Sequence, residues 1–208
     1  MITADDLKPA DPKVKKAQTG VPILDALANR WSTRGFDPER QIPEEKLMAV
    51  AEAARWAPSA NNNQPWRYVF IDRHAETRPV AEQALKRGNF WAKRADCLII
   101  ALYRESFEKD GKPNELAGLE LGLSLSNLMN QATAEGLAIH PMAGFEEDVL
   151  REGLNIPAGY RIPVMLALGH YHSAGDLKDW QIESEYKARE RRPLSAMANF
   201  RGDFSEDF

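Results

Sequence analysis

The chain has 208 residues, 43% of them hydrophobic, and a formal net charge of −4. That length and composition describe one large domain able to bury a core, and exclude a disordered or low-complexity chain. The charge is mildly acidic and mixed along the chain, which excludes the basic stripe of a general nucleic-acid binder.

Residues 1–20 are rich in Lys, Asp and Pro and carry no apolar core of a secretory signal. They are expected to be a flexible N-terminal arm ahead of a single domain over 21–208. The one cysteine, Cys97, has no internal partner, which points to a reducing compartment. The longest apolar run, Cys97 to Leu102, is far short of a membrane span. A cytoplasmic chain with no membrane and no nucleic-acid partner is expected.

From Pro22, PILDALANRW spaces Ile23, Leu24, Leu27 and Trp31 for one face of a helix, with Pro22 in its first turn. WSTRGFDPERQI then breaks the pattern. A second helix opens at Pro43 with two glutamates, carries Leu47, Val50, Ala51 and Ala54 on one stripe, and ends near Ala57-Pro58. RYVFIDR at 67–73 predicts a strand. A helix is expected over 76–87, ending at Gly88, then a buried strand over 96–103 and a polar loop over 104–114.

The stretch 115–135 has Gly, Ala, Ser or Leu on almost every side, the mark of a buried helix. Gly118 and Gly122, four apart, suit close approach of another backbone, for which a second copy of this helix is one candidate. LAIHPMAGF predicts a short strand and turn, 146–153 a short helix, and 161–172 a strand. The tail reads as charged. Without a regular βαβ alternation, these elements predict an α+β fold with helices around a mainly antiparallel sheet.

No acid–base or nucleophile set stands out. His170 and His172 share a strand face, but two ligands without nearby partners make a poor metal site. Cys97 reads as a core residue. Chemistry in such a chain belongs to a cofactor. Arg30, Ser32 and Arg34 alternate, and Arg189, Arg191 and Arg192 cluster near the tail. A hydroxyl between arginines suits a phosphate clamp, and a solvated patch is the alternative. In APSANNNQPWRY (57–68), Ser59, Asn61, Asn62 and Gln64 suit reading a ring edge or polyol, and a plain turn is the alternative.

Five segments in order, RWSTRGF (30–36), APSANNNQPWRY (57–68), GNFWAKRADCLII (88–100), EGLAIHPMAGF (135–145) and RERRPL (189–194), resemble the nitroreductase family of FMN-dependent NAD(P)H oxidoreductases. The likeness runs from about Ile23 to about Leu194. It implies an intertwined homodimer with two FMN sites, each built from both subunits. By that resemblance Arg30 and Ser32 meet the flavin phosphate, and Arg34, the catalytic candidate, meets the pyrimidine edge. Pro58, Ser59, Ala60 and Asn62 come from the partner chain. Asn89 and Lys93 stand near the pyrimidine edge, and Pro141, Met142, Ala143 and Gly144 lie against the ring. Arg189 and Arg191 return to the phosphate.

The implied reaction takes hydride from NAD(P)H and delivers it to a nitroaromatic, quinone or similar acceptor by a ping-pong scheme. Tyr103 and Phe107 are expected to cover the pocket. Two departures stand out: Ala143, where some members carry Glu, and Ala60, where a hydroxyl is common. The same fold also serves enone reduction, dehalogenation and flavin cleavage, and a non-catalytic flavin-binding dimer is a further alternative.

Overall fold

The computed structural model describes residues 15–172, 177–200 and 202. Four strands form one sheet: β1 (Trp66–Asp72), β2 (Cys97–Arg104), β3 (Ala138–Met142) and β4 (Tyr160–Gly169). Their spatial order is β1-β2-β4-β3, and every neighbouring pair is antiparallel. Ile100 of β2 stands opposite Val69 on one side and Met165 on the other.

Alternate residues of β2 feed two cores. Leu98, Ile100 and Leu102 join Met165 and Ala167 on one face, while Cys97, Ile99 and Ala101 join Leu166 and Leu168 on the other. A central strand buried on both faces needs apolar residues at every position, which is why 97–102 has no polar alternation. Burial pushes the Cys97 thiol up to about 12, so it is an inert core residue.

Helices cover both faces, giving the expected α+β layers. Helices α2 (Glu44–Arg55) and α4 (Ala117–Ala134) pack on the Cys97 face through Val50, Ala54, Leu121, Leu128 and Ala132. Pro43 stands at the N-cap of α2, and Glu44 and Glu45 fill its first turn, where the helix dipole favours negative charge. Helices α3 (Arg78–Ala84) and α5 (Glu147–Gly153), with a 3₁₀ segment Arg87–Arg94, bring Ala81, Ala84, Leu150 and Trp91 to the other face. Gly118 of α4 lies against the Tyr103 ring within its own chain, whereas a side chain at Gly122 would meet nothing within 4 Å.

Three elements differ from the sequence expectation. Helix α1 (Asp25–Asn29) starts after Leu24, not at Pro22, and leaves Ile23, Leu24 and Leu27 exposed. Helix α3 stops at Ala84 because Leu85 turns extended and bridges to Phe145 of the segment after β3. The charged tail contains a helix, α6 (Asp179–Tyr186), whose buried residues are Gln181 and Glu185. With polar residues facing inward, α6 shows no apolar stripe.

Residues 1–14 of the expected arm lie outside the described residues. Lys15 is buried, with Nζ 2.5 Å from the carbonyls of Ser184 and Lys187 and above the Trp31 ring. Among the described residues no helix is long and apolar enough to cross a membrane.

Candidate functional site

The arginine side of the site is built on the extended segment 30–36. Gly35 is fixed there by close approach, since a Cβ would stand 2.3 Å from the His172 carbonyl oxygen. Phe36 bridges Tyr171, and the Asp37 N–H donates to the His170 carbonyl. Glu185 of α6 reaches in with both oxygens. One accepts the Thr33 hydroxyl at 2.7 Å, the other the Arg34 backbone N–H at 2.9 Å. Burial raises the Glu185 carboxyl above its ordinary range, against the pull of those two donors and of the Arg34 and Lys15 charges.

His140 of β3 ties the segment to the sheet. Its Nδ1 lies 2.7 Å from the Thr33 carbonyl, so Nδ1 donates, and its ring packs tilted against Trp91, with centroids 4.4 Å apart. Burial, with Arg34 and Arg30 adding repulsion, pushes the imidazole down to about 4 despite the Thr33 bond. The Arg34 guanidinium lies between two indoles, 5.2 Å from Trp180 and 6.0 Å from Trp91.

Arg30, Arg189, Arg191 and Arg192 line a cavity of about 620 Å³, together with Ala17 to Val21. Burial lowers the Arg30 guanidinium, and Arg189 and Arg191 lower it further by like-charge repulsion. Arg189 donates to the carbonyls of Ala28 and Arg30, closing the C-terminal end of α1. Its Nε is buried with no partner among the described residues. Crowded cations with an orphaned donor are the chemistry of an anion site.

On the 3₁₀ segment, Asn89 donates to the Gly144 carbonyl at 2.9 Å. A Cβ on Gly144 would stand 2.7 Å from that amide nitrogen, so the glycine keeps the bond possible. Pro141 is half-buried, Met142 is core, and Ala143 is exposed at the turn after β3. Lys93 is exposed, with Nζ 4.0 Å from Glu82 and over the Phe90 ring.

The asparagine loop stands elsewhere. It precedes β1, at one edge of the sheet, while 141–144 spans the last two residues of β3 and the two after it, at the other edge. Two strands separate β1 from β3, so the edges are about 14 Å apart at the usual strand spacing. Asn61, Asn62 and Gln64 have φ of 52°, 56° and 48°, a left-handed backbone that Asn tolerates better than most residues. The run of asparagines therefore has a backbone reason as well as any recognition role.

Ser59 Oγ accepts the Gln64 N–H, and Gln64 Nε2 donates to Asn62 O and Oδ1. Asn63 Oδ1 accepts the Glu108 N–H, tying the loop to 104–114. The Ala60 N–H donates to Glu120 of α4 at 2.6 Å. One chain thus brings Arg30, Arg189 and Arg191 to one cavity, sets Ser32 beside Arg30, holds Arg34 over Trp91 and Trp180, and links Asn89 with Gly144. It leaves Pro58, Ser59, Ala60 and Asn62 at the opposite edge.

The model of the Nitroreductase family matches residues 27–88 and 72–170. The chain belongs to the nitroreductase family. A solved structure described as an oxidoreductase containing FMN is 33% identical, with TM-score 0.83, covering 90% of this chain and 96% of that one. Protein DrgA of Synechocystis is 29% identical over 177 residues, 70% of this chain and 82% of its own length. An NADH dehydrogenase of Thermus thermophilus is 27% identical over 181 residues, 72% of this chain and 88% of its own. The shared nitroreductase fold accounts for the antiparallel sheet and its helical layers.

Sequence reading missed Glu120, Glu185, His140 and Trp180. Each is a single polar or aromatic residue in an element whose pattern carries no local signal for its partner. Among the described residues no three His, Cys, Asp or Glu side chains gather as metal ligands.

Proposed function

We propose that this nitroreductase-family chain is an FMN-dependent oxidoreductase using NAD(P)H, with each site shared between two copies of the chain. The observation that carries the reading is the convergence of Arg30, Arg189 and Arg191 on one cavity, with the buried Arg189 Nε lacking a partner among the described residues. That donor set fits a phosphate monoester. When bound, FMN supplies hydride acceptance from NAD(P)H and hydride delivery to a second, flat, electron-poor substrate such as a nitroaromatic or quinone.

The chain's own residues then divide the work. Arg30, Ser32, Arg189 and Arg191 hold the phosphate. Arg34, braced by Trp91 and Trp180, puts a positive charge at the pyrimidine edge, where reduction concentrates negative charge. Asn89 and Lys93 attend the same edge, and Pro141, Met142, Ala143 and Gly144 form the floor. Pro58, Ser59, Ala60 and Asn62 come from the second copy, because a single chain holds them on the opposite sheet edge. Exposed Leu119 and Leu123 of α4 and Leu116 at its N-cap, with Ile23, Leu24 and Leu27 at α1, give that copy an apolar surface to cover. One open face used in turn by donor and acceptor gives ping-pong kinetics.

Anaerobic stopped-flow reduction tests the reading. The purified protein, or protein given FMN and freed of excess, is expected to be yellow and to bleach on adding NADPH or NADH. Arg34→Ala is expected to keep flavin but bleach roughly 100-fold more slowly. A protein that retains no flavin contradicts the proposal, and an unchanged rate in the variant removes the role of Arg34.

A further inference from the structure

The loop 59–64 holds three non-glycine residues in the left-handed region, a conformation that costs free energy and persists only when surrounding contacts impose it. Two of the hydrogen bonds that tie the loop to the rest of the chain reach residues distant in sequence. One runs from the exposed Glu108 N–H to Asn63. The other runs from the Ala60 N–H to Glu120 Oε1 at 2.6 Å. Glu120 is only 3% exposed, and Asn114, which donates to its other oxygen at 2.9 Å, is 5% exposed. Asn114 Oδ1 in turn accepts the Leu116 N–H at the start of α4.

Ala60, Glu120, Asn114 and Leu116 thus form one chain of hydrogen bonds in which every donor meets an acceptor. Both donors facing Glu120 are neutral N–H groups. A carboxylate accepts at both oxygens, whereas an amide accepts at only one. We infer that Glu120 is a positioning residue: its carboxylate fixes the Ala60 backbone against α4 and so sets where Ser59, Ala60 and Asn62 meet the flavin. This rests on the reading above that the loop contacts FMN.

The test is an exchange of donor and acceptor at constant charge. Glu120→Gln sets an NH₂ against one of the two donors. Combining it with Asn114→Asp restores complementarity, since the new amide donates to the new carboxylate and still accepts from Ala60. The FMN dissociation constant is measured by flavin fluorescence titration, with apo-protein melting recorded alongside. Ala60→Trp serves as a direct block of the loop.

Glu120→Gln is expected to weaken FMN binding about tenfold, the equivalent of one hydrogen bond, and the double variant to recover it to within about twofold. A merely structural Glu120 would lower the melting temperature and leave the affinity of the folded protein unchanged. That result, with Ala60→Trp still weakening binding, overturns the inference and spares the loop reading. If Ala60→Trp also binds normally, the loop reading fails and takes the inference with it. Should Glu120→Gln not fold, Asn114→Ala unties only the second oxygen. About threefold weaker binding is then expected, and unchanged binding overturns the inference.

Discussion

The arginine segment 30–36 and the asparagine loop 58–64 are both irregular backbone, and each is gripped by a buried carboxylate from a helix. Glu185 of α6 grips the first and Glu120 of α4 the second. Around Glu185 stand the cations Arg34 and Lys15, whereas the two partners of Glu120 are neutral N–H groups. The arginine segment has further ties: His140, the Gly35–His172 contact and the Phe36–Tyr171 bridge. The loop has few ties, and Asn61 and Asn62 stand exposed at its tip. The arginine segment is built into the core of the chain, and the tip of the asparagine loop stands exposed. That asymmetry fits the proposed site shared between two copies.

Acid should separate the two halves most. His140 titrates near 6.5 in an unfolded chain and near 4 when folded, because burial and the Arg34 and Arg30 charges oppose its protonation. Its stabilising effect is fully present above pH 6.5 and is lost as pH falls to about 4, where the folded state also takes up the proton. The loss is roughly 3 kcal/mol over that window. Urea unfolding at pH 7 and pH 4.5 should show His140→Gln losing less stability between the two than the parent. An equal loss would mean that His140 is not the group that titrates.

A smaller effect sharpens the contrast between the carboxylates. Glu185→Gln leaves either the Thr33 hydroxyl or the Arg34 N–H without an acceptor inside the core, and is expected to lower global stability by about 2 kcal/mol. Glu120→Gln should cost less global stability but should speed amide exchange at 60–64. Equal stability losses with unchanged loop exchange would show that the two grips are equivalent.

The sheet and the long helices were legible because their burial is periodic. Strand β2, buried on both faces, and α4, rich in small and apolar residues, carry that signal in their own residues. Helix α6 was not legible, since its inward residues are Gln181 and Glu185, which look like surface. The Arg30, Ser32 and Arg34 alternation and the asparagine run were visible as clusters, and the resemblance supplied their roles. What holds them was hidden. Glu185 lies 152 residues from Thr33, Glu120 lies 60 from Ala60, and His140 lies 107 from Thr33, so only the fold brings each pair together. The left-handed backbone at Asn61 and Asn62 gives those asparagines a steric reason that composition alone does not distinguish from recognition.

In the proposed site, one flavin takes its arginines from one subunit and its asparagine loop from the other. The most direct test is a mixed dimer, made by co-expressing Arg30→Glu and Ala60→Trp chains with different affinity tags and purified through both. Each variant homodimer is expected to bind no FMN. The mixed dimer pairs the intact arginines of the Ala60→Trp chain with the intact loop of the Arg30→Glu chain, and should bind one FMN per dimer. A mixed dimer that binds none, like its parents, would mean that each chain builds its site alone.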